Sequence, residues 1–385
     1  MPPAENFWEG EKGMKTGARK QYLDIAKGIV MLWIVSVHAD GNYYLGDLGS
    51  TFRIPMFFLI AGFLWKERDE PIPQQLKRRA LPLLRSYFGY NALLLIPYLF
   101  DMRASLIPQT KYCIAQLLKH IFGIFWSEGV ILKSDTTPSL HYFTSYNYAM
   151  WFLTAMVSAS AVFLLMLFLR DRLHISLWLQ MLPCILITVL LDFLPLRLPW
   201  SLNICFFFGA MIAFGHALRA ADFFARKYPS PLIPLLLYGL AFSLTLFISI
   251  WNDGSSTSML MTAFGIHGKW SIPVYFIGGM LGSVVFLRLC MLLERLKISR
   301  LFAYIGRNTI PILCLHLTFV VWYNRLWWAL IDIDPAAGSG LFYLRSLTRL
   351  IFAAAGSLGA MYLGRFLKKH IPFLNRFFSG NGVIS

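Results

Sequence analysis

Apolar residues in this chain fall into long runs separated by short polar segments, most of them basic. The runs at 149–169, 175–191, 231–251 and 270–293 have roughly the 17 to 25 residues that let a helix cross a hydrocarbon layer of about 30 Å. Ten spans are predicted, at about 22–39, 52–65, 81–100, 149–169, 175–195, 200–218, 231–251, 270–293, 301–322 and 341–366. The second is short and contains Pro55, so a tilted, broken or extended element is expected there. The predicted fold class is all-α, a polytopic integral membrane protein. No segment repeats at a fixed period and no composition shift divides the chain, which implies one transmembrane domain over 22–366 with tails at 1–21 and 367–385.

Basic residues alternate between the loops. The N-terminal tail carries Lys12, Lys15, Arg19 and Lys20, and the second loop Lys66, Arg68, Lys77, Arg78 and Arg79. The fourth has Arg170 and Arg172, the sixth Arg219, Arg226 and Lys227, the eighth Arg295, Lys297 and Arg300, and the C-terminal tail Arg365, Lys368, Lys369 and Arg376. The first loop has Asp40 and Asp47 with no basic residue, and the ninth reads Asp332-Ile333-Asp334. The third, with Arg103, Lys111, Lys119 and Lys133, departs from the alternation. The positive-inside rule then puts both termini in the cytoplasm.

Composition agrees with a membrane protein: 57% of the residues are hydrophobic and 14% charged, where a soluble domain carries about a quarter charged. The net charge of +16 would suggest nucleic acid in a soluble protein, but here it sits in loops where it sets topology, so nucleic-acid binding is excluded. The five cysteines form no C-x-x-C pair, which excludes a zinc or disulfide framework and leaves them as small buried hydrophobes. The N-terminal stretch lacks an apolar h-region and a cleavage site, so the first run reads as a retained helix.

The first span is the chemically informative one. Asp24, Lys27, Met31, Val35 and His38 recur at helical spacing and form one stripe, with Asp24 and His38 roughly 21 Å apart at 1.5 Å per residue. Ionisable groups facing lipid cost about 2.5–3.5 kcal/mol or more, so such a stripe faces the bundle interior or a cavity. Two readings of it stand side by side. Asp24 and Lys27 pair at one interface with His38 idle at the other, or His38 is a base able to reach a substrate. The run Lys77-Arg78-Arg79, with Arg85 a turn inside the third span, is either a cytoplasmic anchor or a cradle for the phosphates of a nucleotide. The third loop, 127–148, holds His141, Tyr142, Phe143, Tyr146 and Tyr148, which suit a sugar ring or an interfacial aromatic belt. His316, Arg345 and Arg349 are further polar residues in apolar spans, His216 lies beside a cytoplasmic loop and reads as incidental, and Gly278, Gly279 and Gly282 suit close helix packing. Asn308-Thr309 before Pro311 reads as a helix start. There is no P-loop, G-x-S-x-G elbow or H-E-x-x-H.

Tyr22-Leu23-Asp24-Ile25-Ala26-Lys27-Gly28-Ile29, followed by Val35-Ser36-Val37-His38, resembles the opening signature of the acyltransferase 3 family, and within it the fucose 4-O-acetylase-like acetyltransferases. Further blocks resemble the family in the same order: Phe52-Arg53-Ile54-Pro55-Met56-Phe57-Phe58 with Ala61-Gly62-Phe63, then Trp151-Phe152-Leu153, Ile305-Gly306-Arg307-Asn308-Thr309 leading to His316, and Ile371-Pro372-Phe373-Leu374. The resemblance implies a multi-pass O-acyltransferase of the bacterial inner membrane. It would move an acyl group, most commonly acetyl, from cytoplasmic acyl-CoA to a sugar hydroxyl of a cell-surface or lipid-linked glycan. No tightly bound cofactor and no metal are implied; acetyl-CoA or another acyl-CoA is the donor substrate, and a homo-oligomer is compatible with the pattern.

By the same resemblance Lys27 and His38 are catalytic and Arg78 and Arg79 bind CoA; the reading of the residues adds Asp24 to the catalytic group and Arg85 to the CoA-binding group, and Arg53, Tyr146, Trp151 and His316 are expected on the acceptor. Lys27 stands where the wider family has arginine, Arg53 where histidine is frequent, and Leu76 at the first position of the family's R-x-x-R. Transfer directly to the acceptor and transfer through an acyl-enzyme both fit. Rival readings are a transporter or glycan flippase lined by Asp24, Lys27 and Arg85, a membrane acyltransferase of another class with His316 as its histidine, and a scaffold, which leaves the intramembrane charges without a purpose.

Overall fold

The computed structural model describes residues 20–39, 49–105, 110–127, 148–194, 196–251, 271–336 and 338–370. Their regular structure is helical throughout, with no strand among them. Twelve α-helices follow one another among these residues: α1 Gln21–His38, α2 Arg53–Phe63, α3 Ile72–Ser105, α4 Thr110–Trp126, α5 Trp151–Leu173, α6 Leu177–Asp192, α7 Cys205–Ala220, α8 Leu232–Trp251, α9 Ser271–Leu293, α10 Ser299–Arg307, α11 Thr309–Leu330 and α12 Gly340–His370.

Among the described residues, five elements are long and apolar enough to cross a membrane: Trp151–Leu173, Pro199–Ala220, Leu232–Trp251, Ser271–Leu293 and Gly340–Phe366. The ninth expected span is two helices rather than one. Ser299–Arg307 and Thr309–Leu330 pass the same test together but meet at 87°. Asn308 is the break, and Pro311 follows in the first turn of α11, where its missing N–H costs nothing. Three of the four remaining expected spans fall short for identifiable reasons. The second helix has 11 residues, α6 has 16, and α1 spends three of its 18 positions on Asp24, Lys27 and His38. Helix α4 lies inside the expected third loop, where the sequence predicts no helix. Its end is stitched to the turn before α7 by the Trp126 indole donating to the Arg197 carbonyl (3.1 Å) and the Trp200 indole donating to the Phe125 carbonyl (2.9 Å).

Contacts define two ends of the bundle. At one, Lys20 lies over the Phe63 ring, Tyr22 meets Phe224, and Arg219 donates to the Trp65 carbonyl (2.9 Å). This gathers the start of α1 with the ends of α2 and α7. At the other, Trp33 meets Phe52 edge-on, the Tyr275 hydroxyl donates to the Ser50 carbonyl (3.2 Å), and Arg349 donates to the Ala39 carbonyl (2.7 Å). This gathers the end of α1, the start of α2 and parts of α9 and α12. Between them lies an aromatic core in which Phe58 stacks on Phe208 at 3.8 Å and Trp65 meets Phe163 edge-on.

Two backbone crossings hold this core together. Helix α1 meets α10 where Gly28 faces the Phe302 carbonyl and Gly306 faces the Asp24 carbonyl; a Cβ on either glycine would overlap that backbone. Helix α2 meets α7 in the same way, through Gly62 against Ile212 and Gly215 against Leu59. Small residues let helix backbones approach where lipid supplies no hydrophobic drive between helices. The expected close-packing glycines of α9 also lie at a contact, Gly279 against Pro55 and Gly282 against Phe52. Of the five cysteines, Cys184, Cys205, Cys290 and Cys314 are free and buried, and Cys113 lies outside the residues with described side chains.

Gly306→Val is expected to lower stability by about 3 kcal/mol or more, because overpacking against rigid backbone has no flexible side chain to absorb it. Gly239→Ala, where nothing lies within 4 Å of the new carbon, is expected to be neutral or mildly stabilising. Thermal unfolding of the two purified variants in detergent checks the contrast.

Candidate functional site

Helix α1 brings its stripe inward as the spacing predicts. Asp24 and Lys27 are 4% and 6% exposed and form an ion pair at 2.8 Å, one turn apart. A buried charge of this kind is tolerable only when paired. The pair sits at the glycine crossing with α10, since the Asp24 carbonyl is the group that Gly306 abuts. Beside it lies a cavity of about 80 Å³ whose wall includes Lys27, Met31, Tyr90, Phe152, Arg307 and Pro311. The cavity is therefore built where α1, α3 and α5 face the break between α10 and α11.

Eleven residues further along α1, His38 is half-buried beside His316 of α11, with ring centroids 5.3 Å apart. His316 is fully enclosed, and its Nδ1 is 2.9 Å from the carbonyl oxygens of both Ile312 and Leu313. Carbonyl oxygens only accept, so Nδ1 carries the proton and Nε2 presents a lone pair. No described residue bonds that Nε2. Arg53, 3% exposed and 5.9 Å from the Trp33 ring centroid, begins α2 at the same end. Arg349, 5% exposed, binds the carbonyl of Ala39, the residue after His38, and so anchors the end of α1 from α12. Arg345, one turn earlier, pairs with Asp334 at 3.0 Å. The sequence marks both arginines as polar residues in an apolar span but gives them no role, because the carbonyl that Arg349 binds is 310 residues away and carries no side-chain signal.

The remaining expected site residues do not converge. Arg78 is paired to Glu70 at 2.7 Å, Arg79 lies 3.4 Å over the Trp65 ring, and Arg85 is exposed. The expected single arginine cradle is thus divided among three surroundings, since consecutive residues on a helix point in directions about 100° apart. Trp151 is 6% exposed and packs in the aromatic core against Phe152 and Phe208. Tyr146, like most of the aromatic third loop, lies outside the described residues.

His216, expected to be incidental, has a partner. Its Nε2 is 2.9 Å from Glu67, which also accepts two 2.8 Å bonds from Arg170. This ties the loop after α2 to the ends of α5 and α7. The Arg170 hydrogen bonds hold the Glu67 carboxyl below its ordinary 4.5, with His216 adding to the effect. No group of three metal-ligating side chains occurs among the described residues.

Residues 20–366 match the family model of acyltransferase 3, described as an acyltransferase domain. No curated protein and no solved structure matches the chain.

Removing one partner of the buried pair takes the neighbouring opposite charge from the other. Lys27→Met is expected to cost about 3–5 kcal/mol, and Asp24→Leu with Lys27→Met to recover most of it, as thermal unfolding of the single and double variants will register. Because the native pKa of Glu67 is depressed, its contribution to stability is complete above the ordinary 4.5 and is lost as pH falls through the lowered native value. The acid-side drop in melting temperature should accordingly be smaller in Glu67→Gln than in wild type.

Proposed function

The chain belongs to the acyltransferase 3 family of membrane acyltransferases, and from that premise we propose that it transfers an acyl group from cytoplasmic acyl-CoA to a sugar hydroxyl. Acetyl is the acyl group this reading favours, the acceptor is a cell-surface or lipid-linked glycan, and the setting is a bacterial inner membrane. Residues 22–366 form the transmembrane unit in ten passes, with both tails cytoplasmic. The fucose 4-O-acetylase-like resemblance of the first span belongs to the same proposal.

One observation carries the reading: His38 ends a buried polar stripe whose other end is the Asp24–Lys27 pair, and it meets a second imidazole there. In this mechanism His38 takes the proton of the acceptor hydroxyl, and the oxygen attacks the thioester carbonyl carbon. The carbon–sulfur bond breaks, and the leaving thiolate recovers the proton from the imidazolium. Lys27 lies about 17 Å before His38 along α1, at 1.5 Å per residue, and lines the cavity in which this reading places part of the donor's pantetheine arm. Asp24 holds Lys27 in place and is too far along the helix to bond His38. Arg78, Arg79 and Arg85 are the cations this reading assigns to the donor's phosphates, and Arg53, Tyr146, Trp151 and His316 the residues it assigns to the acceptor.

Reconstituted wild type incubated with radiolabelled acetyl-CoA and a host glycan extract is expected to label glycan. His38→Ala should reduce the rate by about 10²–10⁴-fold at equal folded protein, the usual worth of a positioned acid–base group. Equal labelling by both proteins would remove His38 from the reaction, and absence of label with wild type would remove acetyl-CoA as donor.

A further inference from the structure

His316 poses a problem that its helix does not solve. Its Nδ1–H is shared between the Ile312 and Leu313 carbonyls, so the ring is fixed in rotation and in tautomer. Nε2 is left as an acceptor, turned away from the α11 backbone, on a side chain with no exposed surface. It bonds to no described residue. A buried acceptor without a donor costs about 1–3 kcal/mol, and one that persists in a folded protein calls for an explanation. His38, with its ring centroid 5.3 Å away, is the residue of α1 that faces this ring.

Two imidazoles at this spacing fit two hydroxyls better than one. Adjacent hydroxyls on a sugar ring are themselves about a hydrogen-bond length apart, so each can meet one imidazole nitrogen while their carbons remain joined. An isolated hydroxyl at His38 leaves His316 Nε2 without a donor. A site built to bond a substrate hydroxyl rejects analogues that lack it more sharply than any apolar pocket rejects an extra group.

We propose that His316 and His38 together hold the two hydroxyls of one vicinal diol, so that the acceptor is a sugar with adjacent free hydroxyls and acylation falls on the one at His38. This rests on the acyl-transfer reading above. His316 Nε2 accepts a hydrogen bond from the neighbouring hydroxyl and does not remove its proton. The bond formed is the ester at His38's hydroxyl, and the second hydroxyl leaves the site unchanged.

Periodate tests this on a glycan of any composition, because it cleaves vicinal diols and spares isolated hydroxyls. Full-length protein in lipid vesicles receives labelled acetyl-CoA with glycan extract that has been mock-treated or treated with periodate and then borohydride. The expected result is label in the mock-treated extract and background in the treated one. In the product, the acylated sugar should survive periodate where its unmodified counterpart is cleaved. His316→Leu should raise the half-saturating concentration of extract about 10- to 100-fold, the range set by one lost buried hydrogen bond, and leave that of acetyl-CoA unchanged. His316→Gln, whose amide can accept near the position of Nε2, should recover part of the loss. Equal labelling of the two extracts overturns the proposal, as does a His316→Leu variant that weakens donor and acceptor alike while folding normally. No label from wild type in untreated extract removes acetyl-CoA as donor and so counts against the reading on which this proposal rests, a result distinct from label that persists after periodate.

Discussion

An unpaired charge is the one thing a bundle embedded in hydrocarbon cannot carry, and the Asp24–Lys27 pair is where this chain meets that constraint. Neither residue is solvated, so each makes the other tolerable. The requirement propagates outward. Part of the cover comes from α10, which lays Gly306 on the Asp24 carbonyl. That approach holds α10 on the start of α1; α11 leaves α10 at 87° after Asn308 and brings His316 beside His38.

Much of this is legible in the chain. A stripe at helical spacing identifies which face of α1 is inward, since lipid tolerates no ionisable group facing it without cost. Run length and flanking basic residues locate most helices to within a few positions. The legibility stops where an element depends on a distant partner. Asn308 and Pro311 mark a helix start, but nothing local announces that the preceding nine residues turn nearly perpendicular. Helix α4 is placed by contacts with α3, such as the Tyr87 hydroxyl on the Ile124 carbonyl, that its own sequence does not announce. Glycines 28 and 306 are each unremarkable alone, and their meaning is the pairing.

The candidate site divides in the same way. His38, Asp24 and Lys27 lie on one helix and are readable as a set, whereas Arg349 acts through the backbone of residue 39 and His316 through a lone pair left over after its other nitrogen is satisfied. Residue identity does not encode such roles. The arginines of α3 show the converse: three cations close in sequence suggest one purpose, yet Glu70, Trp65 and open surface draw them to three surroundings.

The crossing of α1 on α10 joins residues 28 and 306, one near the beginning of the chain and one near its end. At about 5–20 residues per second, α1 leaves the ribosome some tens of seconds before α10 exists to cover it. During that interval a helix bearing a carboxylate and an ammonium has to be sheltered by something other than its final neighbour. For this protein membrane insertion and assembly are therefore separate events in time, and α1 is finished long after it is made.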